Sequence, residues 1–250
     1  IWVQAQENGY MNMAKWKACQ VDELPVDTKG MSVYVGFDMS AKIDLTSVAF
    51  IIPFISGKYD SAGKEIVKYI VFSHSFIPNR EKLIERKRKD KVDYDAWERM
   101  GYLTVTDTTI VDQSAVMKYV KNTCEKNNWQ IECLCFDPAN AAKLMMDLSE
   151  EGYTVEEVFQ SHKSLNESTQ GFREQVYSGN IVYTYNPILN FAMSNAVIRK
   201  SQGLIKIDKD ATTKRIDPVD AVLCAFKLAM YHEFTPSFFD AIDKYLESDW

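Results

Sequence analysis

The stretch Val33-Tyr34-Val35-Gly36-Phe37-Asp38-Met39-Ser40 decides the fold: an apolar run that stops at a lone carboxylate. β-Branched and aromatic residues suit a pleated, buried surface, so Val33 to Asp38 reads as a buried strand with an acid at its C-terminal end. The same arrangement returns at Ile131 to Pro138, Ile-Glu-Cys-Leu-Cys-Phe-Asp-Pro, where the apolar run stops at Asp137. A third acid cluster, Arg-Ile-Asp-Pro-Val-Asp, supplies Asp217 and Asp220. Function turns on whether these acids meet.

The elements around them read as follows. Residues 1–29 predict a short helix and a linker. Strands at Val33 to Asp38, Ser47 to Ile55 and Ile66 to Phe76 are spaced closely enough for an antiparallel meander. Tyr94 to Leu103 reads as a turn of helix ending at Gly101, and Asp112 caps an amphipathic helix through Asn128. Ile131 to Phe136 is a strand buried on both faces, Ala139 to Glu151 a helix closed by Gly152, and Thr154 to Phe159 a fifth strand. Ser168 to Ser178 and Pro187 to Ser194 read as helical, followed by a hairpin turning at Gln202-Gly203. Pro218 opens a strongly apolar helix, and Pro236 to Glu247 forms a last amphipathic one.

Singly, each acid has a structural explanation: Asp38 as a turn residue, Asp137 and Asp217 as N-caps before proline, Asp220 at the third helical position. Together they predict a site. If the first and fourth strands lie adjacent and parallel, Asp38 and Asp137 come side by side, and a helix packed on that sheet can aim Asp217 and Asp220 at the same place. Clustered carboxylates repel unless a cation neutralises them. Oxygen ligands without His or Cys favour two divalent cations, Mg²⁺ or Mn²⁺, which about 4 Å apart clamp an in-line attack on a phosphodiester.

Composition narrows the alternatives. With 250 residues, 46% hydrophobic and 12% aromatic, the chain can bury a full core. No window approaches the roughly 18 consecutive apolar residues of a membrane span, and no signal pattern opens the chain, so it reads as soluble and intracellular. A start at Ile1 rather than Met predicts a piece of a longer protein. Cys19, Cys124, Cys133, Cys135 and Cys224 are odd in number and scattered, which predicts reduced core thiols. The distant His74, His162 and His232 predict structural roles, not a zinc site. A net charge of −6 gives no overall case for nucleic acid. Bases nevertheless concentrate in Arg80 to Lys91, read as a solvated face or a mobile flap, and in Arg199, Lys200, Lys206, Lys209, Lys214 and Arg215 just before the third acid cluster.

The chain resembles the C-terminal nuclease domain of the large terminase subunit of tailed bacteriophages. The resemblance spans nearly the whole length and is carried by Gly36 to Phe50, Trp97 to Asp112, Cys135 to Gly152, the paired stretches His162 to Ser168 and Asn186 to Val197, and Lys214 to Val222. It implies an α/β, ribonuclease H-like mixed central sheet, an antiparallel meander plus parallel crossover strands, flanked by helices with an appended β-hairpin. The domain would run over 30–235, with the hairpin about 196–210, a connector at 1–29 and the amphipathic helix at 236–250.

The implied activity is a metal-dependent endodeoxyribonuclease that cuts concatemeric viral DNA, leaving 3′-hydroxyl and 5′-phosphate ends. Asp38, Asp137 and Asp217 would be catalytic metal ligands and Asp220 a fourth, with Asp44 a turn organiser. Arg199, Lys200, Lys206, Lys209, Lys214 and Arg215 would hold the phosphate backbone of double-stranded DNA. Implied partners are the N-terminal ATPase motor of the same polypeptide, the terminase small subunit and the portal, with no membrane; the setting is the cytoplasm of the infected host, at the procapsid portal. Gly57 to Glu65 misses the phosphate-loop spacing of an ATPase, so no ATP hydrolysis is expected here. Rival readings are a transposase- or resolvase-type nuclease, an actin-like or sugar-kinase ATPase, and a non-catalytic packaging module that holds DNA or portal.

Overall fold

The alternation of apolar strands and amphipathic helices resolves into a mixed sheet with helices on both faces. The computed structural model describes residues 8–39, 45–209 and 215–234. In chain order they form α1 (Met13–Ala18), β1 (Gln20–Val21), β2 (Ser32–Asp38), β3 (Thr46–Tyr59), β4 (Glu65–Ile77), α2 (Arg80–Asp90), α3 (Tyr94–Arg99) and β5 (Leu103–Val105). There follow α4 (Gln113–Asn127), β6 (Gln130–Phe136), a 3-10 turn (Pro138–Asn140), α5 (Ala142–Glu150), β7 (Val155–Glu157), α6 (His162–Tyr177), β8 (Ile181–Thr184), α7 (Pro187–Asn195), β9 (Ile198–Ser201), β10 (Leu204–Ile207) and α8 (Asp217–Ala229). The expected last helix, along with Asp44 and Lys214, lies outside the described residues.

The sheet order is β1-β8-β4-β3-β2-β6-β7, with β5 on the outer edge of β4. As the sequence predicts, β2, β3 and β4 form the antiparallel meander, while β6 lies parallel beside β2. The side chains alternate. Val33, Val35 and Phe37 join one core with α4 and α5; Tyr34, Cys133 and Cys135 join the other with α6, α7 and α8. A third cluster packs Leu83 of α2 and Tyr94 and Trp97 of α3 with Leu45, Leu103 and Ile188.

Gly36 is the point where α8 reaches β2. A Cβ there would lie 2.1 Å from the Ala221 carbonyl oxygen and 2.5 Å from the Ala225 backbone nitrogen. Only a residue without a side chain admits helix backbone this close, so Gly36 fixes where the first turn of α8 lands.

The structure adds to the sequence reading in three places. The basic stretch Arg80 to Lys91 is a helix, capped by Asn79, whose side chain accepts a hydrogen bond from the Lys82 N–H. Its cations are held by neighbouring acids: Lys82 and Lys89 by Glu85 at 2.6 and 2.5 Å, Lys87 by Asp93 and Asp95 at 2.9 and 2.5 Å, and Arg80 by Glu98. α6 begins at His162, six residues early, because Ser161 caps it and its inner face is marked by Leu165, Ser168, Thr169, Phe172 and Val176 rather than by an apolar run. β8 was hidden in the four residues Ile181–Thr184; it carries the parallel partner of β1, and Tyr183 stacks on Trp16 at 4.1 Å.

Candidate active site

After a register shift between Val33 and Tyr34, β2 and β6 run in step to their ends, where Phe37 pairs with Phe136 and the two rings stack at 4.0 Å on the far face. One step further along, Asp38 leaves β2 with the parity of Gly36, toward α8, and Asp137 follows directly on the adjacent parallel strand β6. Asp38 is the last residue of β2 and is 7% exposed. The first turn of α8 brings Asp217 and Asp220, the latter 2% exposed. The Cys224 thiol, one turn further along α8, is pushed up by burial first and then by the negative charges of Asp38 and Asp220, against Lys209, with a smaller push from Asp137.

The capping explanations separate here. Asp137 does cap the 3-10 turn, its Oδ1 accepting from the Ala139 N–H at 3.2 Å. Asp217 does not cap α8: the N-cap position is Ile216, with no side-chain cap bond, and Asp217 is already helical. Burial, reinforced by the charge of Asp38, holds the Asp217 carboxyl well above its ordinary range. Burial likewise raises Asp220, to about 6, against the pull of Lys209.

Lys209, two residues beyond β10, enters this cluster. Its Nζ donates to both Asp38 oxygens at 3.0 Å and lies 3.2 Å from Asp220 Oδ2. Partial burial works against its charge, but Asp220, Asp38 and Asp217 outweigh it and drive its pKa up. The sequence grouped Lys209 with the hairpin bases; its approach to Asp38 depends on how the chain leaves β10, for which no local pattern exists. The hairpin turns at Gln202 and Gly203, both at positive φ, and is seated on α6 by Ile205 and Ile207 and by a 2.8 Å bond from the Ile205 N–H to Asn166. Arg199 and Lys200 are exposed on β9, and Lys206 donates to the Gln160 carbonyl at 3.0 Å. Arg215 lies just before α8.

The donor set suits a hard divalent cation. It consists of carboxylates from three chain segments, and Asp220 Oδ2 is buried with no hydrogen-bond partner. Among the described residues no three acidic, His or Cys side chains converge as a finished cage. The ammonium of Lys209 stands between Asp38 and Asp220 instead.

The family profile described as "Terminase large subunit, endonuclease domain" matches residues 1–233. The chain belongs to this family. Among curated proteins it is 25% identical over 253 residues to protein YmfN of Escherichia coli (strain K12), covering 98% of this chain and 53% of that one. To the terminase large subunit of Enterobacteria phage HK97 it is 26% identical over 216 residues, covering 85% and 40%. The chain thus spans about half the length of the curated relatives it matches. Its fold matches the crystal structure of the HK97 bacteriophage large terminase with a TM-score of 0.73 at 24% identity, over 88% of this chain and 43% of that one. It also matches the large terminase nuclease of thermophilic phage G20c, TM-score 0.52 at 9% identity, over 90% and 100%; a second structure of that nuclease, with bound magnesium, gives 0.50 at 9% identity, over 88% and 97%.

Proposed function

We propose that this domain is a metal-dependent DNA endonuclease that cleaves concatemeric viral DNA during genome packaging by two-metal phosphodiester hydrolysis. The observation that carries the reading is the ion pairing of Lys209 with both Asp38, at the end of β2, and Asp220, in the first turn of α8, with Asp137 directly after the parallel strand β6. The magnesium bound to the G20c nuclease supports a divalent cation as the partner of these acids.

Divalent ions held there would activate water for attack on phosphorus and steady the leaving oxygen. The chain's own residues do the placing. Asp38, fixed by β-pairing on both sides of β2, holds the centre. Asp137 keeps one oxygen on the Ala139 N–H, which limits rotation of the carboxylate and leaves the other oxygen for a cation. Asp217 and Asp220 close it from α8, their raised proton affinity marking a pocket that favours an added positive charge. Arg199, Lys200, Lys206, Lys214 and Arg215 would track the phosphate backbone without reading sequence.

In the cell the domain would work on double-stranded DNA with an ATPase motor on the same polypeptide, a terminase small subunit and a portal, in the host cytoplasm. Residues 1–29 would then be the connector to that motor. Replacing Asp137 by Asn tests the assignment: the folded variant should lose Mn²⁺-dependent cleavage, and the wild-type products should carry 3′-hydroxyl and 5′-phosphate ends. Wild-type cutting by the variant would remove Asp137 from the mechanism. One observation favours a second reading, a non-catalytic packaging module: Lys209 already neutralises part of the cluster. That reading predicts DNA binding indifferent to metal and to Asp38.

A further inference from the structure

Lys209 has a geometry unlike that of a DNA-contacting lysine. A phosphate-binding side chain keeps its ammonium in solvent, aimed outward. Here the Nζ turns inward, bonded at 3.0 Å to both oxygens of a carboxylate that is 7% exposed, and 3.2 Å from a second carboxylate that is 2% exposed. Asp220 Oδ2 is ion-paired with the same ammonium, so one cation serves both carboxylates. The Lys209 side chain as a whole is 43% exposed, which leaves it a path out.

We infer that Lys209 is a tethered counter-cation that holds Asp38 and Asp220 together in the metal-free protein and must be displaced before a divalent ion can bind them. This rests on the reading of the cluster as a metal centre. Several carboxylates gathered without a cation would repel, and folding the domain before metal arrives needs some positive charge among them. One ammonium supplies it. A divalent ion supplies twice the charge and accepts donation from several oxygens at once, but it can use Asp38 only after both Lys209 bonds break. The engaged lysine therefore lowers apparent metal affinity by the fraction of time it occupies the site. If the bound arrangement is favoured about tenfold, its removal tightens metal binding about tenfold.

The exchange has two signatures independent of cleavage. Lys209→Gln keeps most of the side-chain length and removes the charge; Lys209→Arg keeps the charge. Chelator-stripped samples of the 250-residue chain would be titrated with MnCl₂ by calorimetry, with thermal unfolding followed in EDTA and in Mn²⁺. The expected result is about tenfold tighter Mn²⁺ binding by Lys209→Gln, with a lower melting temperature in EDTA and a larger gain on adding Mn²⁺, while Lys209→Arg stays within about threefold of wild type. Equal or weaker binding by a folded Lys209→Gln overturns the inference and leaves the metal-centre reading standing. If Lys209→Gln does not fold, Lys209→Arg decides: the bulkier guanidinium leaves Mn²⁺ affinity within about threefold if charge is what competes, and a tenfold change overturns the inference. Absence of Mn²⁺ binding by wild type and variants alike overturns the metal-centre reading, and this inference with it.

Discussion

Gly36 of β2 meets the backbone of Ala221 in α8 so closely that an added Cβ would sit 2.1 Å from its carbonyl oxygen. Ala221 follows Asp220 directly, so the contact that docks the helix also sets the depth of the carboxylates. Neither neighbour is the end of a flexible side chain, since the next closest atom is the Ala225 backbone nitrogen at 2.5 Å.

Gly36→Ala should therefore destabilise the domain by about 1–3 kcal/mol, as overpacking does, and Gly36→Val by more. Urea unfolding measures it. A Gly36→Ala protein within about 0.5 kcal/mol of wild type would show that α8 can shift freely and that its carboxylates are not held at a fixed depth.

His74 gives a pH dependence with a defined sign. It is 5% exposed, its Nε2 is 2.8 Å from the Thr104 hydroxyl, and its ring stacks on Tyr119 at 4.1 Å. Burial lowers its pKa from 6.5 to about 4. The folded state thus refuses a proton that the unfolded state accepts, so this group costs nothing above pH 6.5 and destabilises progressively as pH falls toward 4. The full loss is on the order of 3 kcal/mol. His74→Gln should flatten the decline in stability between pH 6.5 and 4, whatever its effect at neutral pH. An unchanged slope would mean that His74 protonates in place.

The two basic segments should behave differently toward DNA. Arg199 and Lys200 are exposed on the hairpin beside the acid cluster, and Lys82 and Lys89 of α2 are ion-paired with Glu85. The double change Arg199→Ala with Lys200→Ala should lower the salt slope of DNA binding by about 2, close to one per lost phosphate contact. Lys82→Ala with Lys89→Ala should leave it nearly unchanged. The reverse pattern, measured by binding at several salt concentrations, would move the DNA track from the hairpin to α2.

The contrast between these segments also shows what the sequence could express. Two apolar runs each ending in aspartate disclosed that β2 and β6 are buried neighbours, because burial on both faces leaves a continuous apolar signature and the acids mark the strand ends. The first turn of α8 was legible from its proline and its spaced acids. Arg80 to Lys91 looked like unpaired solvated charge because part of its pairing comes from beyond the stretch, from Asp93 before α3 and from Asp95 and Glu98 within it, while Glu85 pairs inside it at helical spacing. β8 was too short to announce itself, and its place in the sheet comes from β1 and β4 on either side. The inward turn of Lys209 is a property of the assembled fold: its partner Asp38 lies 171 residues away.

The most direct test of the central claim is cleavage of supercoiled plasmid by the purified chain in Mn²⁺, Mg²⁺ and EDTA, beside a folded Asp38→Ala variant. The account predicts nicking and linearisation that need the metal and vanish with Asp38. Cutting that survives EDTA, or that Asp38→Ala performs at the wild-type rate, would contradict it.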